Sequence, residues 1–194
     1  MRKLTPPDLM SLERYAVERA AFRARVLAHK RPRQLSVGPE MTWCFEGRLT
    51  VLYQVQEMLR VERIFEASGI AAELAAYNPL IPDGMNLKVT LLIEIADPGR
   101  RRLRLAALRG VEDRCYLRVD GFDAVFAVAD EDLERQSAEK TSAVHFLRFE
   151  FTPAMIASLR AGSGLAAGVD HPAYRHAVDP LYTATLTALI ADFE

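Results

Sequence analysis

The chain has 194 residues, half of them hydrophobic and 26% charged, with a formal net charge of −1. That composition fills one globular core, and the near-neutral total removes the global signature of nucleic-acid or membrane-surface binding. Two cysteines in so long a chain make no disulfide framework and suggest a reducing compartment. The opening MRKLTPPDL lacks the apolar run of a signal peptide, and no stretch approaches the ~20 apolar residues of a membrane span. A cytoplasmic, single-domain protein is expected.

Thr5-Pro6-Pro7-Asp8 reads as a capped helix start, with the helix over about 7–28 packing as an appendage. Leu9, Leu12, Tyr15, Ala16, Val26 and Leu27 share one face, which Arg19 and Arg23 interrupt. From Glu13 to Arg33 there are seven Lys/Arg and two acidic residues. Sparse aromatics make this a solvated face rather than an RNA-binding strip. Gln34 to Glu46 reads as extended chain broken at Gly38-Pro39, with Met41, Trp43 and Phe45 alternating onto one side.

Arg48 to Pro82 carries the most regular helical period in the chain. At about 100° per residue Val51, Leu52, Val55, Met58 and Leu59 fall on one arc, against which sheet segments are expected to pack. Thr50 is the expected N-cap. Thr50, Gln54 and Glu57 flank the arc on one side, Gln56, Arg60 and Arg63 on the other. Glu62 falls inside the arc, so either the helix bends or ends near Val61 and exposes it, or Glu62 is buried against an arginine. A second helix is predicted from Ser68 through Tyr77, where Asn78-Pro79 stops it.

Beyond it, Leu87 to Ile95 alternates as the clearest strand. Asp97-Pro98 starts a short helix that ends near Gly110 and bears Arg100, Arg101, Arg102, Arg104 and Arg109 as a solvent face. Cys115 to Val119 and Phe122 to Val128 form a predicted hairpin about Asp120-Gly121. Asp130 to Lys140 reads as a surface loop, and Ala143 to Phe151 as a strand with His145, Leu147, Phe149 and Phe151 on one side. Thr152-Pro153 opens a short helix, Val169 to His176 reads as a compact turn region, and Asp179-Pro180 opens the last helix. The order is not strictly βαβ and the hairpin favours antiparallel pairing, so the expected class is α+β.

Four stretches carry a family resemblance: LERYAVERAAFRARVLAHKRPR (Leu12 to Arg33), QVQEMLRVERI (Gln54 to Ile64), YNPLIP (Tyr77 to Pro82) and GVDHPAYR (Gly168 to Arg175). Together they resemble the landmarks of a bacterial domain-of-unknown-function family, DUF3501, over nearly the whole chain. The resemblance implies a setting beside rubrerythrin and an iron–sulfur electron-transfer protein, hence peroxide defence or redox metabolism. It implies no mechanism and no catalytic residue.

GSGLAA (Gly162 to Ala167) has the glycine spacing of a dinucleotide loop but follows a helix instead of a strand, so no nucleotide cofactor is expected. The four histidines have neither the i, i+4 spacing of a zinc helix nor a C-x-x-C companion, and no metal is expected. His145, in phase with Leu147 and Phe149, reads as a hydrogen-bonded core histidine. Asp170, His171, Tyr174 and His176 are the candidate centre of a small hydrolase or metal-dependent enzyme, completed by Glu57 or Glu62. Against that stands a turn in which Asp170 caps locally and His171 bonds backbone. Cys115 reads as buried and inert; Cys44, beside Glu46, is the more accessible thiol but has the wrong neighbour for a nucleophile. The polar flank Gln54, Gln56, Glu57 and Arg60 is the candidate contact surface for a protein partner or a second copy. The leading expectation is a non-catalytic accessory or partner-binding protein.

Overall fold

The computed structural model describes residues 1–131, 135, 137 and 139–193. Its helices are α1 (Leu12–Lys30), α2 (Arg48–Val61), α3 (Ala67–Tyr77), α4 (Pro98–Ala107), α5 (Pro153–Arg160) and α6 (Thr183–Ile190). The strands are β1 (Gln34–Ser36), β2 (Met41–Phe45), β3 (Asn86–Ile93), β4 (Cys115–Val119), β5 (Val125–Phe126), β6 (Val128–Ala129), β7 (Val144–Glu150), β8 (Leu165–His171) and β9 (Tyr174–Val178). Part of the expected Asp130–Lys140 loop lies outside the described residues.

Every strand pairing is antiparallel: one sheet runs β1-β2-β3-β7-β6 and the other β5-β4-β8-β9. The period-2 alternation seen in the sequence decides which side of each strand is covered. Trp43, Phe45, Val89, Leu91, Leu147 and Phe149 from the first sheet share a core with Leu117, Val119, Leu165 and Val169 from the second. Trp43 stacks on Phe149 at a centroid distance of 5.6 Å. Leu105, Leu108, Ile156, Leu159 and Leu189 extend that core into the α4–α6 regions. This is a single-domain α+β fold.

Three expectations are corrected by the packing. Val169 to His176 is not a turn region but most of the β8–β9 hairpin, with His171 opposite Tyr174. Leu165-Ala166-Ala167-Gly168 lacks β-branched residues, so its strand signal is weak. Its small residues match a neighbour: a Cβ on Gly168 would lie 2.4 Å from the Tyr116 hydroxyl. The Asp120-Gly121 hairpin is also looser than predicted, because Leu117 pairs with Val125. The returning chain then changes sheets, with Ala127 N donating to the Cys115 carbonyl at 2.9 Å before β6 joins β7.

The third correction concerns α2. Its arc does not pack on the sheets: Val51, Val55 and Leu59 join Leu4, Leu74 and Ile81 in a separate core. On the other side Tyr15, Phe22 and Val26 of α1 pack with Leu49, Leu52 and Tyr53. Between this helical layer and the five-stranded sheet lies a polar seam. Glu46, only 4% exposed, accepts from Thr50 at 2.5 Å and from Thr90 at 2.7 Å.

Helix ends differ from the sequence reading, most of all at α1, which begins at Leu12 and not near residue 7. α2 begins after Gly47, with Thr50 inside the first turn accepting from Gly47 N at 3.0 Å. Ser11, not Thr5, caps α1; Thr5 and Asp8 close a single 3₁₀ turn over Pro6–Asp8. α3 starts at Ala67 after Glu66. At the far end of α2, Arg63 takes φ +54° and Ile64 N donates to the Leu59 carbonyl at 3.0 Å, a Schellman-type stop. Glu62 is therefore exposed at the helix end.

Candidate functional site

Of the four candidate residues on β8–β9, two are used up by the backbone. The His171 ring donates from Nε2 to the Arg109 carbonyl at 3.0 Å, and its Nδ1 accepts from Ala173 N at 3.2 Å. Tyr174 donates to the Val37 carbonyl at 2.8 Å and accepts from Glu40 N at 3.0 Å. Those two bonds hold the β1–β2 turn, where Gly38 sits at φ +73° against the Tyr174 and His176 rings. Asp170 lies on the opposite side of its strand from His171 and pairs with Arg175 at 3.2 Å, and His176 is exposed. Glu57 and Glu62 sit on and after α2, each outside this cluster. The arrangement fixes a turn; it does not aim acid, base and nucleophile at one point.

The α2 flank is in contact with another helix of the same chain. Gln56 is fully buried, accepting from Met10 N at 2.6 Å. Glu57 accepts from Tyr15 Oη at 2.6 Å and from Arg19 Nε and Nη2 at 2.8 and 2.9 Å, with Arg60 at 3.2 Å. These donors, Arg19 foremost, hold its carboxyl down at about 2. Gln54 reaches Glu46 at 3.4 Å, and Arg60 keeps 41% of its side chain exposed. Arg19, which interrupted the apolar face of α1 in the sequence, is the ion that docks α1 on α2.

α4 presents the densest cationic surface. Asp97 caps it by accepting from Arg100 N at 2.6 Å, and Pro98 occupies the first turn, as its sequence predicts. Glu40, 6% exposed, binds Arg100 at 2.7 Å and Arg104 through two bonds at 2.7 and 2.9 Å. Arg101, Arg102 and Arg109 are exposed with no ion-pair partner among the described residues. Leu103 on the same helix is 71% exposed. Beside this helix, Arg104, Arg175 and His176 line an open groove floored by Glu40 and Tyr174.

The family model described as "Protein of unknown function (DUF3501)" matches residues 3–193. The chain belongs to this family. A crystal structure of a protein of unknown function from Burkholderia pseudomallei K96243 is similar over 100% of both chains, with 50% identity and a TM-score of 0.94. No curated protein matches the chain. DUF3501 membership thus brings a fold and no reaction, and the chemistry has to be read from the side chains.

One cluster in this DUF3501 chain has no sequence spacing to announce it. His145, fully buried on β7, directs Nδ1 at Asp130 Oδ2, 2.6 Å away. Its Nε2 faces Thr141 Oγ1 at 2.9 Å, the Ser142 carbonyl at 3.1 Å and Glu112 Oε2 at 3.8 Å. Thr141 in turn donates to Glu112 at 3.2 Å. Ligand atoms from Glu112, Asp130 and His145 lie within 4.8 Å of one another, close enough to hold a metal ion. Asp130 stands at the Nδ1 end of the ring, and Glu112, bridged by Thr141, at the Nε2 end. The cluster ties β6 and β7 of one sheet to the turn before β4 of the other. His145 is a hydrogen-bonded core histidine.

The two thiols remain free, Cys115 buried and Cys44 partly so. Burial pushes both up, with Glu112 adding to the effect at Cys115 and Glu46 at Cys44. No helix among the described residues is long and apolar enough to cross a membrane.

Proposed function

We propose that this DUF3501 protein is a non-catalytic accessory protein that binds an acidic protein partner through the exposed face of α4. The carrying observation is Leu103, 71% exposed on the helix that also bears the exposed Arg101 and Arg102, neither of which has an ion-pair partner among the described residues. Glu40 neutralises only the inner pair, Arg100 and Arg104, and fixes the helix against the β1–β2 turn. An exposed apolar side chain on an arginine-rich helix suits a partner that offers carboxylates beside a hydrophobic socket. The α2 flank is engaged by α1, which leaves Arg60 as its contribution to any outside contact. The redox or peroxide-defence setting implied by the family resemblance enters through the partner, since neither thiol is activated as a nucleophile.

The test is charge reversal of R101E/R102E in the full chain. Association with the protein that copurifies from the native host is then measured in low and high salt. A folded variant that loses a salt-sensitive partner supports the reading. Unchanged retention refutes it, and so does a partner that proves to be RNA.

A further inference from the structure

A second surface feature lies between α3 and the five-stranded sheet. There the 3₁₀ turn after α3 leans over β3 and β7, leaving a cleft of about 210 Å³. Pro79, Leu80, Val89 and Phe146 give it apolar walls, and Lys88 lines it from β3. The rim is Arg148, whose guanidinium is held by Glu131 at 2.7 and 2.8 Å and also by Glu150.

The side-chain amine of Lys88, unlike the side chains of Lys3 and Arg148, has no hydrogen-bond or salt-bridge partner among the described residues. Lys3, nearby, donates to the carbonyls of Asn78 and Ile81 at 3.0 and 2.7 Å. Burial is the largest influence on Lys88 and favours the uncharged amine; Arg148 adds to that, while Glu131 and Asp83 oppose it. A partly desolvated amine beside another cation is the arrangement that makes lysine nucleophilic. An anionic ligand is poorly served here, because Glu46 and Glu131 also line the cleft.

We infer that Lys88 captures a small aldehyde or ketone with an apolar body, forming a reversible imine inside this cleft. The Nζ lone pair forms the C–N bond as the carbonyl π pair moves to oxygen. Two hydrogens from nitrogen then leave with that oxygen as water, so C=N replaces C=O with no change of oxidation state. The apolar walls take the body of the ligand, and 210 Å³ limits it to a compact molecule.

The chain's composition makes this directly testable, because it contains only four lysines: Lys3, Lys30, Lys88 and Lys140. The full-length protein is incubated at neutral pH with benzaldehyde and cyanoborohydride, which fixes an imine as a secondary amine, and the label is mapped by mass spectrometry. Lys88 is expected to be labelled at least about threefold faster than Lys30 or Lys140, a modest share of the tenfold per pKa unit. Benzoate, lacking a reactive carbonyl, should give no protection. Leu80→Trp, which fills the cleft from its wall, should slow labelling at Lys88 alone. Labelling at Lys88 no faster than at the other lysines overturns the inference. Fast labelling that benzoate blocks, or that survives Leu80→Trp in a folded protein, overturns it as well.

Discussion

Replacing Glu57 by glutamine keeps the side chain's shape and removes its charge from the α1–α2 seam. In the folded protein its carboxyl stands at about 2 against an ordinary 4.5. At 1.36 kcal/mol per unit that gap corresponds to about 3 kcal/mol. Glu57 is 20% exposed and Arg19 37% exposed, so solvent screening reduces the expected loss to about 1–2 kcal/mol at pH 7. Because the folded value is the depressed one, this stability is fully present above pH 4.5 and is lost as pH falls toward about 2. Urea unfolding of wild type and Glu57→Gln between pH 7 and pH 2.5 measures it. The two curves should differ by that amount at neutral pH and converge in acid. A pH-independent difference, or none at pH 7, would refute the reading that Glu57 docks α1. A variant of unchanged stability that loses an oligomer or partner would instead make the flank an external contact.

Arg33 is 4% exposed and binds Asp192 through bonds of 2.5 and 2.7 Å, joining the end of α1 to the end of α6. Arg33→Met strands the Asp192 carboxylate and should cost about 3–5 kcal/mol in denaturant unfolding, while Arg33→Met with Asp192→Leu should recover most of it. Glu62, exposed beyond the last turn of α2, should tolerate Glu62→Ala within about 0.5 kcal/mol in the same assay.

What the sequence determined by itself is local. Asp97-Pro98 and Thr152-Pro153 each open a helix, and both caps accept from the backbone three residues on. Trp43, Leu91 and Phe149 were placed on the covered faces of β2, β3 and β7 by alternation alone. Glu62 broke the apolar phase of α2, which left a helix end near Val61 and a buried ion pair both open; the structure shows the end.

Tertiary structure decided whatever depends on a partner far along the chain. Gln56 looked like part of a polar flank, but Met10 reaches it across 46 residues and makes it a buried staple. Gly168 weakened a strand signal until Tyr116 from β4 filled its missing side chain. Glu112, Asp130 and His145 have no motif spacing, because a change of sheet at Ala127 brings them together. A local pattern states which side of an element must be covered. Only the folded chain supplies what covers it, since hydrogen bonds and ion pairs across long sequence separations leave no period to read.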